Sequence, residues 1–218
     1  MKLARWHAIV LGGFLASSHP LARASDPAEV ASPALKVGER WVYRVTTERD
    51  GRVISDRTEI EITAVDNSFV HTVTYTAKDG NERDVVYTPD WNDLVFYGGF
   101  VKPHLSILNF PLRSGNRRVS TVDLRIVRSR ESAQLDVSLK LLVTAEVKSW
   151  EQLEVPAGVF RALRVSGWAV IPERKPSQDA VFARLELWYS PDVKRWVKRS
   201  WIFAKAIINE ELVHFRLK

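Results

Sequence analysis

Between Leu135 and Lys148 the chain alternates for fourteen residues. Leu135, Val137, Leu139, Leu141, Val143, Ala145 and Val147 point one way, while Asp136, Ser138, Lys140, Thr144, Glu146 and Lys148 mostly point the other. Period two is the spacing of a strand with one buried and one wet face, and it is incompatible with a helix, whose apolar face recurs every three or four residues. At about 3.3 Å per residue such a strand would run ~40 Å, well past the usual five or six residues. A strand that long must twist and curl, so a strongly curved sheet that wraps around something is expected.

The same period dominates the rest of the chain. Trp41, Tyr43 and Val45 alternate with Arg44 and Thr46; Ile60, Ile62 and Ala64 with Glu59, Glu61 and Thr63; Phe69, His71, Val73 and Tyr75 with Thr72, Thr74 and Thr76. Asp50-Gly51, Asp66-Asn67 and Asp79-Gly80-Asn81 separate these runs with residues that tolerate positive φ in tight hairpins. Four antiparallel strands ending near Tyr87 follow. Further strands are expected at 161–171, 181–190, 195–203 and 207–217, with turns at Pro156-Ala157-Gly158, Pro172 to Pro176 and Pro191-Asp192. No segment has a helical period of twelve residues. The expected fold is all-β: one domain over residues 35–218, a large curved antiparallel sheet resembling a half-barrel, with a two-layer β-sandwich as the alternative.

Ahead of that domain lie a basic start (Lys2, Arg5), an apolar stretch from Ala8 to Ala16 and a polar tail ending Ala22-Arg23-Ala24. These three zones make residues 1–24 a secretory signal peptide, cleaved after Ala24 or, less favourably, after Ala16-Ser17-Ser18. The apolar stretch is too short to cross ~30 Å of hydrocarbon, so no transmembrane anchor is expected. Residues 25–34 carry two prolines and no periodicity, which suggests a flexible lead-in. Removing the leader takes away three basic residues and no acidic one, so the formal charge of +6 falls to +3. A nearly balanced exported domain offers no global field for nucleic acid, and none is expected as a partner. With no cysteine, disulfides and thiol chemistry are excluded, and stability must come from a core that the seven tryptophans after the leader can help to fill.

Recognisable catalytic and phosphate-binding motifs are absent: no G-x-S-x-G, G-x-x-x-x-G-K-[ST], G-x-G-x-x-G, H-E-x-x-H or EF-hand loop. No metal or cofactor is expected. After the leader the histidines are His71, His104 and His214. His71 falls between Phe69 and Val73 on what the alternation marks as an apolar face; it is either a satisfied core histidine or a polar anchor in a ligand cavity. Residues 88–118 form a long apolar connection with Pro89, Pro103, Pro111 and several aromatics, either a lid over one end of the core or one wall of a binding cleft. Candidate ligand contacts are therefore His71, Tyr75, Trp91, Phe96, Tyr97 and Phe100. Asp90 and Asp93 could bind a cation, but an Asx turn or a helix cap explains them more simply. Lys194, Arg195, Trp196, Lys198 and Arg199 form a candidate surface strip of basic and aromatic residues, suited to an anionic lipid or polymer, or else a solvated edge with aromatic packing.

One short echo is visible. Leu35 to Val42 recurs 77 positions later as Leu112 to Val119, sharing the Leu, the basic residue, the Gly and the Val. It could mark two halves of a duplicated sheet.

Glu154-Val155-Pro156-Ala157-Gly158-Val159-Phe160 and Trp188-Tyr189-Ser190-Pro191-Asp192-Val193 through Val197-Lys198 resemble a widespread group of exported bacterial β-proteins of unknown function, many of them lipoproteins. In that group V-P-A-G-x-F is followed by W-Y-[SA]-P-x-V-G-x-x-V-K. Leu35 to Tyr43 and Phe110 to Gly115 match its habits too, so the resemblance spans about Leu35 to Arg199. Lys194 stands where the group usually has Gly and Arg118 where a Trp is common; the lipid-bearing cysteine is missing, so lipoprotein status is not implied. The motifs look structural: a tight turn at Pro-Ala-Gly, Phe160 restarting the core face, and a hairpin closed by Tyr189 to Asp192.

The expected role is a non-enzymatic, soluble cell-envelope protein, periplasmic or secreted, that holds a lipid or other apolar or amphiphilic ligand in the concave face of its sheet. The alternative is a structural or assembly factor that meets an envelope protein. A hydrolase acting on envelope glycans or lipids would need His71, His104 or Asp93 to converge in one cleft.

Overall fold

The computed structural model describes residues 26–78, 80–96, 99–130, 133–172 and 181–218; the leader lies outside them. The described chain is all-β. Twelve strands form one antiparallel sheet: β1 (Arg40–Arg49), β2 (Arg52–Val65), β3 (Val70–Thr76), β4 (Asn81–Tyr87), β5 (Val95–Phe96), β6 (Gly99–Lys102), β7 (Arg117–Arg130), β8 (Ala133–Val155), β9 (Gly158–Val170), β10 (Val181–Ser190), β11 (Arg195–Phe203) and β12 (Ala206–Arg216). Their order is 4-3-2-1-12-11-10-9-8-7-6-5. The edges β4 and β5 are joined by a short connection in which Tyr87 bridges Asp93, so the sheet curls into a nearly closed barrel. The long alternating strand is β8, at 23 residues even longer than its pattern predicts. A bulge between Val147 and Trp150 interrupts its ladder with β9, which pairs with it on both sides of the irregularity. No helix among the described residues is long and apolar enough to cross a membrane.

The sequence echo marks a repeated piece of structure. Gly38 and Gly115 both take positive φ, 82° and 86°, in turns that lead into β1 and β7. Glu39 N–H donates to the Lys36 carbonyl, as Asn116 N–H does to Arg113. Gly38 N–H donates to Ile62 and receives the return bond through Glu39, while Gly115 and Asn116 exchange the same pair with Val147. Three residues past each glycine a side chain is set opposite the neighbouring strand: Trp41 opposite Ile60, and Arg118 opposite Ala145.

Two expectations change. The alternation around His71 has the opposite phase: Val70 and Thr72 are buried, whereas Phe69, His71 and Tyr75 are exposed on the outer face of β3. Pairing with β2 decides this, because Thr72 sits opposite the core residue Ile62 and Thr74 opposite Ile60, and a one-residue shift in a strand exchanges its faces. Residues 26–34, expected as a flexible lead-in, lie as a strap along the barrel. Val30 is buried and exchanges two backbone hydrogen bonds with Leu112. Asp26 pairs with Arg161, Glu29 with Arg113, and the Ser32 hydroxyl donates to Asp90.

Candidate functional site

The concave face is filled at its centre. The connection from β4 to β7 contributes Trp91, Phe96, Leu105, Ile107, Leu108 and Leu112 as buried side chains. Asn92 braces the segment from inside: its amide accepts from Ile107 and Leu108 N–H and donates to the Leu108 carbonyl. Arg195 lies among these side chains, 0% exposed, with its guanidinium carbon 4.0 Å from the ring centroids of both Trp91 and Trp196 and 5.1–5.9 Å from Tyr87, Trp41 and Tyr43. No nitrogen of that guanidinium has a hydrogen-bond partner among the described residues, so aromatic faces hold the cation.

Around this cage three of the rings donate to the main chain, and the Trp196 indole donates to the Glu210 carboxylate. The Trp41 indole donates to Val193 O, Trp91 to Lys194 O and the Tyr43 hydroxyl to Trp196 O, each at 2.8 Å. Arg199 lies 4.0 Å from the Trp196 ring, forks onto Glu210 and lies 3.7 Å from Asp93. Two buried guanidinium groups thus share an interior with two carboxylates. Burial pushes the Asp93 carboxyl up, and the charges of Arg199 and Arg195 partly oppose this. The Tyr43 hydroxyl is likewise pushed far up by burial. Among the described residues this centre holds two guanidinium groups against two carboxylates and buried aromatic rings, so it organises the fold.

The candidate surface strip is therefore corrected: Arg195 and Trp196 are inside the barrel and Arg199 is nearly so. The bulge where Trp188 and Tyr189 pair with β11 places Trp196 and Val197 both inside, which simple alternation could not foresee. Lys198 lies on the outer face beside Glu211, and Lys194 reaches the buried Glu39. Of the candidate ligand contacts, Trp91 and Phe96 belong to the core, His71 and Tyr75 to the outer face of β3, and Phe100 is 67% exposed on β6. Tyr97 lies outside the described residues. His71, His104 and Asp93 keep separate company: His71 is 4.0 Å from Asp66, the charges felt at His104 are those of Arg118 and Asp90, and Asp93 faces Arg199. Among the described residues no group of acidic or histidine side chains could hold a metal ion.

What remains open is a cleft of about 460 Å³ beside the start of β7, within the range of small-ligand sites. Ile107, Phe110, Pro111, Ala145 and Val147 supply apolar lining; Arg113, Arg117, Arg118, Asn109 and Asn116 supply polar lining. The cleft exists because the repeated turn is filled differently in its two copies. Trp41 fills the interior opposite Ile60, whereas Arg118 opposite the small Ala145 leaves space and brings a charge. Arg113 is held by Glu29 of the strap. Arg117 lies 5.7 Å from the Trp168 ring, and neither it nor Arg118 has a carboxylate partner among the described residues. A second hollow, of about 370 Å³ at the tips of the β1–β2 and β11–β12 hairpins, is lined by Glu48, Asp50, Arg49 and Lys205, whose charges cancel. The sequence signal for the cleft is Arg118, which stands three residues past Gly115 where the first copy of the turn has Trp41.

No protein-family model and no curated protein matches this chain. Three solved structures are similar to it at low identity. One, from Bacteroides fragilis, is described as an exported protein with a YmcC-like fold; it is 14% identical with a TM-score of 0.49, over 86% of this chain and 99% of that one. The second is described as a lipoprotein of Parabacteroides distasonis, 14% identical with a TM-score of 0.44 over the same shares. The third is the hypothetical lipoprotein YmcC of Escherichia coli, 9% identical with a TM-score of 0.42, over 80% of this chain and 84% of that one.

Proposed function

We propose that this protein is a non-enzymatic, exported binding protein of the cell envelope whose ligand is an anionic amphiphile held in the cleft beside β7. The observation that carries this reading is the pairing of two uncompensated arginines, Arg117 and Arg118, with an apolar lining of Ile107, Phe110, Ala145 and Val147. Unpaired guanidinium groups suit an anionic head, and the lining suits the first carbons of a chain. Export is supported by the three-zone leader of residues 1–24.

Titration of the purified protein with octyl phosphate, kept below its micelle concentration and followed by calorimetry, should show saturable one-site binding. Arg118→Trp, which copies the Trp41 solution of the equivalent turn, should fill the cleft and weaken binding at least about ten-fold. It should do so without lowering thermal stability. Absence of binding, or equal affinity in the variant, would overturn the reading.

A second reading is favoured by the outer face of β3, where Phe69 (41%) and Tyr75 (39%) are exposed beside the edge strand β4. Exposed aromatics next to an edge suit an envelope protein partner. A photocrosslinker at position 75 should then trap one protein repeatedly in cells. Diffuse crosslinking would sink it.

A further inference from the structure

We infer that the cleft selects a headgroup with two negative charges on one centre, the chemistry of a phosphate monoester. This rests on the proposed amphiphile site and names its ligand class. Three arginines line the cleft, and the one carboxylate that engages any of them among the described residues is Glu29, on Arg113. The residual formal charge is therefore +2. Glu146, directly opposite Arg117 in the β7–β8 ladder, turns to Lys148 at 2.6 Å, and Asp90 accepts the Ser32 hydroxyl.

Adjacent residues of a strand point to opposite faces, so Arg117 and Arg118 reach the cleft from two sides of the sheet edge. Arg117 comes from the outer side, beside Trp168, and Arg118 from the inner side, opposite Ala145. Both residues line the cleft, and a tetrahedral group with three terminal oxygens carries acceptors enough for both guanidinium groups. His104, near Arg118, adds no charge at neutral pH: burial, and then the charge of Arg118, hold its pKa below the usual imidazole range. A monoanionic head leaves one guanidinium uncompensated. A dianionic head leaves none.

The test compares octyl phosphate with octyl sulfate at pH 8, where the first is a dianion and the second a monoanion on the same chain. Octyl phosphate should bind about ten-fold tighter or more, from the additional charge at contact distance in a partly desolvated cleft. Arg117→Gln and Arg118→Gln, both at exposed positions, should each reduce that ratio to within about three-fold of unity. Equal binding of the two probes by the unaltered protein would overturn the dianion inference and leave the amphiphile site standing. Binding of neither would overturn both. Inorganic phosphate binding as tightly as octyl phosphate would keep the dianion preference and overturn the amphiphile reading, assigning the site to a free anion.

Discussion

Two side chains show how single residues shape this molecule. Arg195 is a cation without a hydrogen bond, held by five aromatic rings, so its size and its stacking both matter. Arg195→Ala should cost about 3–5 kcal/mol in urea unfolding, through the cavity and the lost stacking. Arg195→Met, which keeps the bulk and removes the buried charge, should lose less than half as much. A larger loss in the Met variant would show that the charge, rather than the volume, carries the interaction. Lys194 sits at φ 57°, a conformation that glycine adopts freely. Lysine is retained where its ammonium meets Glu39, which is 0% exposed. Lys194→Gly should therefore destabilise despite relieving about 1 kcal/mol of backbone strain. Lys194→Gly with Glu39→Gln should recover stability relative to the single variant. Additive effects in that double-mutant cycle would show that the two residues are not coupled.

At the level of elements, three strands are laced by one carboxylate. Glu211 on β12 accepts from Arg44 on β1 and from Lys198 on β11. Its pKa is lowered, above all by the Arg44 hydrogen bond; burial opposes this, and the hydrogen bond and charge of Lys198 add to the lowering. A depressed carboxyl pKa stabilises the fold above the unfolded-state value, and that contribution is lost as pH falls through the folded-state value. Glu211→Gln should cost ~0.5–1 kcal/mol at neutral pH and nothing in strong acid. An unchanged difference at the two pH values would contradict the assignment. The connection 88–116 is held by Asn92 in the same sense. Asn92→Ala strands two N–H groups and one carbonyl, so it should cost ~3 kcal/mol or more and raise hydrogen exchange across 105–112. That segment also forms part of the cleft wall, so the variant should weaken octyl phosphate binding as well.

The whole molecule is a barrel that nearly closes on itself around its own chain. A sheet of twelve strands has two edges, and exposed edges invite pairing with other chains. Here the chain leaving one edge strand, β4, enters the interior, bridges Tyr87 to Asp93 and supplies β5 and β6 at the other edge. The same connection contributes buried side chains to the centre, and a cleft lies beside β7. That the interior accommodates Arg195, Arg199, Asp93 and Glu210 explains why a segment rich in basic and aromatic residues is not an anionic-surface patch.

The sequence by itself marked most of the strands, because period-two alternation and Asp-Gly or Pro-Ala-Gly turns are local properties: β1 to β4 and β8 to β12 lie over the alternating runs, whereas β5 and β6 fall inside the segment read as a connection and β7 was not expected. It also carried the repeated turn at Gly38 and Gly115, since both demand positive φ. Which way each strand faces was decided elsewhere. The outward turn of His71 follows from the register of β3 against β2, and the burial of Trp196 and Val197 together follows from a bulge against β10. The cleft, likewise, depends on Arg118 meeting Ala145 from another strand. Faces, bulges and cavities are properties of paired strands, and no single stretch of chain contains its partner.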